Sequence, residues 1–510
     1  MQTIRHELTY KDNLQAFYAE RCDTLNTLLL ESSSQEIHKS HLSLLGISCA
    51  VKILCRGPVV TAEALSDNGA ALLARVAERA RGGGYAGRYT CTADERKLEL
   101  TYERHDGGLD ERTRLQQHGQ LHCLQLFCSE LTACPDILFA GVISFDYINN
   151  FEHVHDIEPW QYDFADYIFY IFDMVITQDH RERSARIDGH VFNDDTDAMN
   201  RRIAMLAERY EECTASFGCG DTGDIEPEAQ PDLSDGQFCE MVEQLKEHIR
   251  QGDVFQVVPS RTFAIECRNP QLSYAYLKRH NASPYMFFLH DPMFVLFGAS
   301  PEFALRVDMA RREVAISPIA GTKPRGTTAR GRIDPDLDSR IELELRTDLK
   351  EIAEHLMLVD LARNDLARIS RTGSVRVENM LHVDKYQSVQ HLVTDVRGTL
   401  DEGFDAFNAY LACMNMGTLS GAPKIMAHRL IYRYEGRKRG AYGGVVARLS
   451  PDGSLDSCIV IRSAIVHGGR ALVQAGCGVV AYSDPMSEAQ ETRHKARAVL
   501  LAIARANRSG

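Results

Sequence analysis

The strongest constraint on the fold is the spacing of the apolar runs, which are short, bounded by turn residues and not in regular alternation with helical patterns. Leu28-Leu29-Leu30, Val51-Lys52-Ile53-Leu54 and Leu98-Glu99-Leu100-Thr101-Tyr102 read as strands, with turns at Gly82-Gly83-Gly84 and Gly107-Gly108 between them. Residues 137–143 and the aromatic run Tyr167-Ile168-Phe169-Tyr170-Ile171-Phe172 read as buried strands. Further strands are predicted at 254–258, 286–289, 294–297, 375–377, 445–447, 459–461 and 471–473. Helices are predicted at 121–131, 201–210, 337–369, 404–414, 422–432 and 487–506, and the polar stretch 1–27 also reads as helical. Ser234 is placed to cap a helix with the stripe Phe238, Met241, Val242, Leu245 and Ile249, which Gly252 ends. Without strand–helix alternation a doubly wound sheet is disfavoured. The expectation is an α+β fold with a large, mainly antiparallel sheet system.

Residues 213–236 lose periodicity and collect Gly, Asp, Pro and Ser, suggesting a linker between regions 1–233 and 234–510. Within it, Gly218-Cys219-Gly220-Asp221-Thr222-Gly223 matches a dinucleotide fingerprint, but no strand precedes it and Pro227 follows where a helix should run. With 71 acidic against 57 basic residues the formal charge is −14, which argues against nucleic acid or an anionic membrane as the main partner. Fourteen scattered cysteines in a long chain without a Cys-x-x-Cys pair fit reduced thiols. The first residues form no apolar signal core, and no run approaches the length of a membrane helix, so a cytoplasmic protein is expected.

Two stretches share one spacing. Glu351 and Glu354, and again Glu488 and Glu491, stand at i and i+3, which on a helix puts each pair on one face. Four such carboxylates could hold a hard cation such as Mg²⁺, which takes oxygen ligands, although Glu-x-x-Glu on a solvated helix is common. Ile352, Leu356 and Val359 on the first helix, and Val499, Leu500 and Ile503 on the second, would face the core and leave the glutamates to a cleft. Gly-rich stretches at 318–326, 416–424 and 474–478 could line it, and equally could be ordinary β punctuation. His391 could be an acid/base group or a packed ring, Arg462 a carboxylate partner or a surface residue. His355, next to Glu354, points elsewhere and reads as structural. From the residues alone this is an enzyme handling a small anion, with Mg²⁺ as a candidate cofactor.

The order of motifs across 234–508 resembles the chorismate-utilising enzyme family, and within it the component I branch of the anthranilate synthases. The resemblance rests on Gly252-Asp253-Val254-Phe255-Gln256, Gly298-Ala299-Ser300-Pro301-Glu302, the 318–326 loop, Glu354-His355-Leu356-Met357-Leu358-Val359-Asp360, the 416–424 stretch and Glu491-Thr492-Arg493-His494-Lys495. His494 stands where the family usually has Asn. The resemblance implies a sandwich-like sheet system with helices packed outside. It also implies Mg²⁺ on Glu351, Glu354, Glu488 and Glu491, and a substrate pocket of Thr322, Thr418, Tyr442, Arg462, Gly476, Gly478 and Lys495. His391, Glu302 and Thr418 would serve the chemistry. Gln256 and Ala320 stand where family members that add water, or form para-aminobenzoate, carry lysines, which favours ammonia as the nucleophile. No Gly-x-Cys-x-Gly elbow is present and no room remains for a fused glutaminase, so a separate glutamine amidotransferase subunit (component II) is implied, in a heteromeric assembly. Glu31, Ser32, Pro284, Tyr285, Met286 and Cys458 resemble a tryptophan feedback site, with Leu42 where some relatives have lysine. The implied reaction converts chorismate and ammonia to anthranilate and pyruvate. Two rivals are an aminodeoxyisochorismate synthase that stops before pyruvate loss and a catalytically silent subunit.

Overall fold

The computed structural model describes every residue except 13, 21–23, 33–40, 83–88, 104–109, 118, 153, 155–163, 215–219, 221–222, 224, 329–331, 387–388 and 510. The turns expected at Gly83-Gly84 and Gly107-Gly108, and most of the fingerprint stretch, lie outside the described residues.

Two long strands, Leu42–Arg56 and Tyr167–Asp179, pair antiparallel along most of their length and seed two sheets. One runs from Leu42–Arg56 through Thr27–Glu31, Tyr285–His290, Val295–Ser300, Ser463–His467 and Arg470–Gly476 to Ser260–Glu266. The other runs from Tyr167–Asp179 through Leu138–Ile143, Val445–Leu449, Leu455–Ile459, Phe303–Asp308 and Glu313–Ile316 to Val389–Thr399. Each of these pairings is antiparallel.

Side-chain alternation shows why the sheets stack. In Tyr285–His290, Phe287 and Leu289 join a cluster with Leu138, Ala140, Val142 and Val446 of the other sheet. Their neighbours Met286 and Phe288 point the other way, into a cluster with Tyr274, Leu277, Val499 and Ile503 on helices. The second sheet does the same, with Phe139, Phe169 and Ile171 packed against Leu72, Val76, Leu124, Phe238 and Leu366. A strand with apolar residues on both faces is buried on both, so the order is helices, sheet, sheet, helices. The α+β class, the antiparallel sheets and the outer helices are as expected.

Several elements differ from the sequence reading. The start of the chain is a strand, Gln2–Leu8, on the edge beside Ser184–Val191, and only Leu14–Ala19 is helical. An edge strand needs no apolar face, and this one is held by polar pairs such as Arg5 on Asp188 at 2.8 Å. Asp67–Gly82 and Pro270–His280 are helices that the sequence reading passed over. The helix expected over 337–369 is two, because Asp348 ends Pro335–Thr347 and accepts from the amides of Lys350 and Glu351 to start Leu349–Ala367. Of the strand expected at 254–258, only Gln256–Val257 pairs, with Gly421–Ala422. The Ser234 capping box and the left-handed Gly252 (φ 86°) are present as read.

Candidate active site

Twice the chain passes from one sheet to the other in a few residues, and both corners meet at one cleft. Pro301-Glu302 joins Val295–Ser300 to Phe303–Asp308, and residues 460–462 join Leu455–Ile459 to Ser463–His467. The corners are bonded together: the Ile459 amide donates to the Glu302 carbonyl at 3.1 Å and the Ala299 amide to the Arg462 carbonyl at 3.1 Å. Arg462 turns its corner with φ 49°, a left-handed conformation that costs a residue with a side chain ~1–3 kcal/mol and clusters at functional sites.

The cleft between these corners has an empty volume of about 650 Å³ and is lined by Glu302, Thr322, His391, Thr418, Tyr442, Arg462, Gly476 and Lys495, with Ile461 and Gln474. It therefore gathers, from segments far apart in the sequence, every residue expected for the substrate pocket except Gly478. Gly478 sits just outside, where an added Cβ would lie 2.6 Å from the Gln256 amide nitrogen. Gly476 is needed for close packing, since a Cβ there would lie 2.6 Å from the Pro259 carbonyl oxygen and 3.1 Å from the Tyr442 hydroxyl. At Gly321 (φ 82°) the register of Ile319–Pro324 against Val389–Thr399 shifts. That bulge sets Thr322 opposite His391, 2.8 Å from Thr322 Oγ1 to His391 Nδ1.

Burial sets the proton affinities. Glu302 has one side-chain bond, from Thr418 Oγ1 at 3.1 Å, and desolvation pushes it up to about 8. Desolvation, with the Arg462 charge second, holds His391 down at about 4. At neutral pH the cleft thus holds a protonated carboxyl and a neutral imidazole. Lys495 donates to the Gly476 carbonyl at 3.0 Å and pairs with Glu491 at 2.6 Å.

The glutamate pairs lie on Leu349–Ala367 and Pro485–Ser509, and each feels the other's charge. Burial pushes Glu354 up to about 7, with Glu351, Glu488 and Glu491 adding repulsion against Lys350. Glu351 and Glu488 are raised, first by burial. Glu491 is lowered, because Lys495 and then Arg462 outweigh its desolvation. Glu354 Oε1 and Glu488 Oε2 are buried without a hydrogen-bond partner. Lys350, which the sequence reading passed over although it stands four residues before Glu354, lies 3.9 Å from that orphan oxygen. Among the described residues no three acidic, histidine or cysteine side chains converge tightly enough to hold an ion as they stand. The donor set itself suits a hard cation: carboxylates only, mutually repelling, two with unused oxygens. The first helix buries His355, Leu358, Val359 and Ala362 rather than the expected Ile352–Leu356–Val359 stripe, and Leu356 is 38% exposed. His355 is structural as read, bonded to Thr394 at 2.7 Å.

A second pocket, of about 660 Å³, lies between the sheets away from the corners and contains Glu31, Ser32, Leu42, Pro284, Tyr285, Met286 and Cys458. It adds Arg306, Arg448 and Asp456, which the sequence reading missed. They are cross-strand neighbours, Arg448 and Arg306 both opposite Asp456, so only the pairing register brings them together.

Comparison with known proteins shows the family. A family model described as "chorismate binding enzyme" matches residues 74–501. Anthranilate synthase component 1 from Vibrio cholerae is 44% identical over 99% of this chain and 96% of its own length. Its Escherichia coli counterpart is 43% identical over 99% and 98%. The crystal structure of anthranilate synthase component I from Streptococcus pneumoniae, 26% identical, superposes with a TM-score of 0.69 over 97% of this chain and 99% of that one. The menaquinone-specific isochorismate synthase of Escherichia coli, at 16% identity and a TM-score of 0.64, shares the fold. The chain belongs to the chorismate-binding enzyme family, with the anthranilate synthase component 1 proteins among its relatives.

Proposed function

We propose that this chain converts chorismate and ammonia to anthranilate, pyruvate and water, as the synthase component of a two-component anthranilate synthase. The observation that carries the reading is the meeting of Arg462, Lys495, a protonated Glu302 and a neutral His391 at the two sheet corners, in a chain 44% identical to such a component. Arg462 and Lys495 offer two cations for the enolpyruvyl carboxylate, and bidentate pairing to Arg462 would fix its orientation. Glu302 can give its proton to the departing C4 hydroxyl, which leaves as water while the amine bonds to C2. His391, its ring held by Thr322, accepts the C2 proton as the enolpyruvyl C–O bond breaks and the ring becomes aromatic. Glu351, Glu354, Glu488 and Glu491 would hold Mg²⁺, which supplies charge compensation for the ring carboxylate. Among them Glu354 and Glu491 are our candidates for direct contact.

The ammonia would come from a separate glutamine amidotransferase subunit, consistent with the "component 1" names of the relatives. Tryptophan is the proposed inhibitor, bound in the second pocket. That pocket offers an apolar wall (Leu44, Met286, Val446), acids in Glu31 and Asp456, and Arg448, whose buried Nε has no hydrogen-bond partner. An amino acid presents one group for each. No helix among the described residues is long and apolar enough to cross a membrane, and cytoplasmic residence fits a first step of tryptophan biosynthesis, the role we propose for this reaction.

The test is stoichiometric. Purified chain with chorismate, Mg²⁺ and ammonium should release pyruvate and fluorescent anthranilate in equal amounts. An amino intermediate without pyruvate would identify the aminodeoxyisochorismate synthase instead, and no consumption of chorismate would sink both.

A further inference from the structure

The cleft opens into a larger cavity, of about 1100 Å³ against about 650 Å³, that the proposed chemistry does not use. It lies between helices Pro270–His280 and Pro485–Ser509 and shares Pro301, His391, Arg462 and Lys495 with the cleft, so the two adjoin. Beyond the shared residues its basic lining is Arg497 and Arg505, with the imidazoles of His280 and His494 beside them. Among its described lining residues there is no Asp or Glu, in a chain with 71 acidic residues against 57 basic. The arrangement follows from helical spacing: 494, 498, 501 and 505 recur every three or four residues and so share one face of Pro485–Ser509. Small Ala498 and Ala502 leave room between the charged positions. Three carboxylates approach from outside the lining: Glu226 on Arg497 at 3.1 Å, Glu491 on Lys495 at 2.6 Å, and Asp384, which accepts from the Tyr386 hydroxyl at 3.4 Å. Arg505 Nε is buried with no hydrogen-bond partner.

We infer that this cavity is an entry vestibule that captures a small dicarboxylate anion and passes it to Arg462 and Lys495. The inference rests on the proposed function, which makes the substrate such an anion. The reasoning is electrostatic. A chain of charge −14 repels a dianion over most of its surface, and a concave wall with one sign of charge focuses the opposite potential at a single opening. Because the residues the vestibule shares with the cleft include the two proposed substrate cations, Arg462 and Lys495, capture there raises the local concentration where it is used.

The experiment measures ammonia-dependent turnover of the full chain without any partner subunit, as a function of chorismate and ionic strength. The variants are the pair Arg497→Glu with Arg505→Glu, and the charge-keeping pair Arg497→Lys with Arg505→Lys. At ~0.02 M ionic strength, where screening extends over ~20 Å, the reversed pair should raise KM about 5- to 10-fold. Its kcat should stay within about twofold of the parent's, and the KM difference should shrink towards unity at ~0.5 M salt. The lysine pair should keep the parental KM. A parental KM in the reversed pair at low salt overturns the vestibule, as does a loss of kcat shared by both pairs, which marks a structural role. Absence of turnover in the parent overturns the functional reading and this inference with it.

Discussion

The corner cleft and the second pocket are bounded by the same two sheets, yet they leave their charges in opposite states. In the second pocket Glu31 accepts from Tyr274 and Lys278, each at 2.7 Å, and Arg306 is bonded to Asp456 and to the Tyr285 hydroxyl. Among the described lining residues there, Arg448 Nε and Ser32 Oγ are buried without a hydrogen-bond partner. In the cleft and its glutamate wall, Glu302 has a single side-chain bond, Glu354 and Glu488 keep unused oxygens, and burial drives proton affinities towards neutrality. A buried charge without a partner is costly. Uncompensated charge at one site and largely compensated charge at the other fit the two proposed roles, a cleft for ionic reactants and a pocket for a bulky ligand.

The strongest way to break that contrast is at the corner carboxyl. Glu302→Gln keeps the shape and removes the proton, and should cut kcat about 10²- to 10⁴-fold in the anthranilate fluorescence assay. An unchanged kcat would mean that Glu302 is merely packed. Next comes the glutamate wall. Glu354→Gln with Glu491→Gln should abolish Mg²⁺ binding by calorimetry, and chelation of the parent with EDTA should stop turnover. Retained Mg²⁺ affinity would move the ion elsewhere.

Titration sharpens the contrast further. Glu302 has a folded value of about 8 against 4.5 for the free group, so between those values the folded protein holds a proton that the unfolded chain has released. That contribution to stability is complete below about 4.5 and is lost as pH rises towards about 8. His391, lowered to about 4 from 6.5, acts in the other direction, its contribution present above 6.5 and lost as pH falls through 4. Glu302→Gln should therefore flatten the fall in melting temperature between pH 6 and pH 8, and an unaltered pH profile would deny the buried proton. The smallest effect is expected far from both sites. Ser234→Ala removes a capping box and should cost about 1 kcal/mol, read as a lower melting temperature at parental kcat.

How much of this was legible follows the range of the signal. Local patterns were readable: the Ser234 cap, the Tyr167–Phe172 core strand and the i, i+3 glutamates all stand where read. Some local signals were present but missed. Asp67–Gly82 buries Leu72, Leu73, Val76 and Ala80 at helical spacing, and Asn269-Pro270 is a cap followed by Pro at the first helical position. The glutamate pairs, His391 and Arg462 are candidates from the residues alone, but their grouping with Glu302, Thr322, Thr418 and Tyr442 rests on motif resemblance, because what makes them a site is non-local. The bulge at Gly321, the two sheet corners and the Arg448–Asp456–Arg306 neighbours depend on register between distant strands, which no window of sequence contains.

The proposed separation of a catalytic cleft from a tryptophan-binding pocket is tested most directly by titrating tryptophan into ammonia-dependent anthranilate formation by the parent and by Arg448→Ala. The parent should be suppressed by millimolar tryptophan. Arg448→Ala should keep the parental uninhibited rate and need roughly tenfold more tryptophan, the loss expected for one charge-assisted hydrogen bond. A parent indifferent to millimolar tryptophan, or an Arg448→Ala chain without its uninhibited rate, would contradict it.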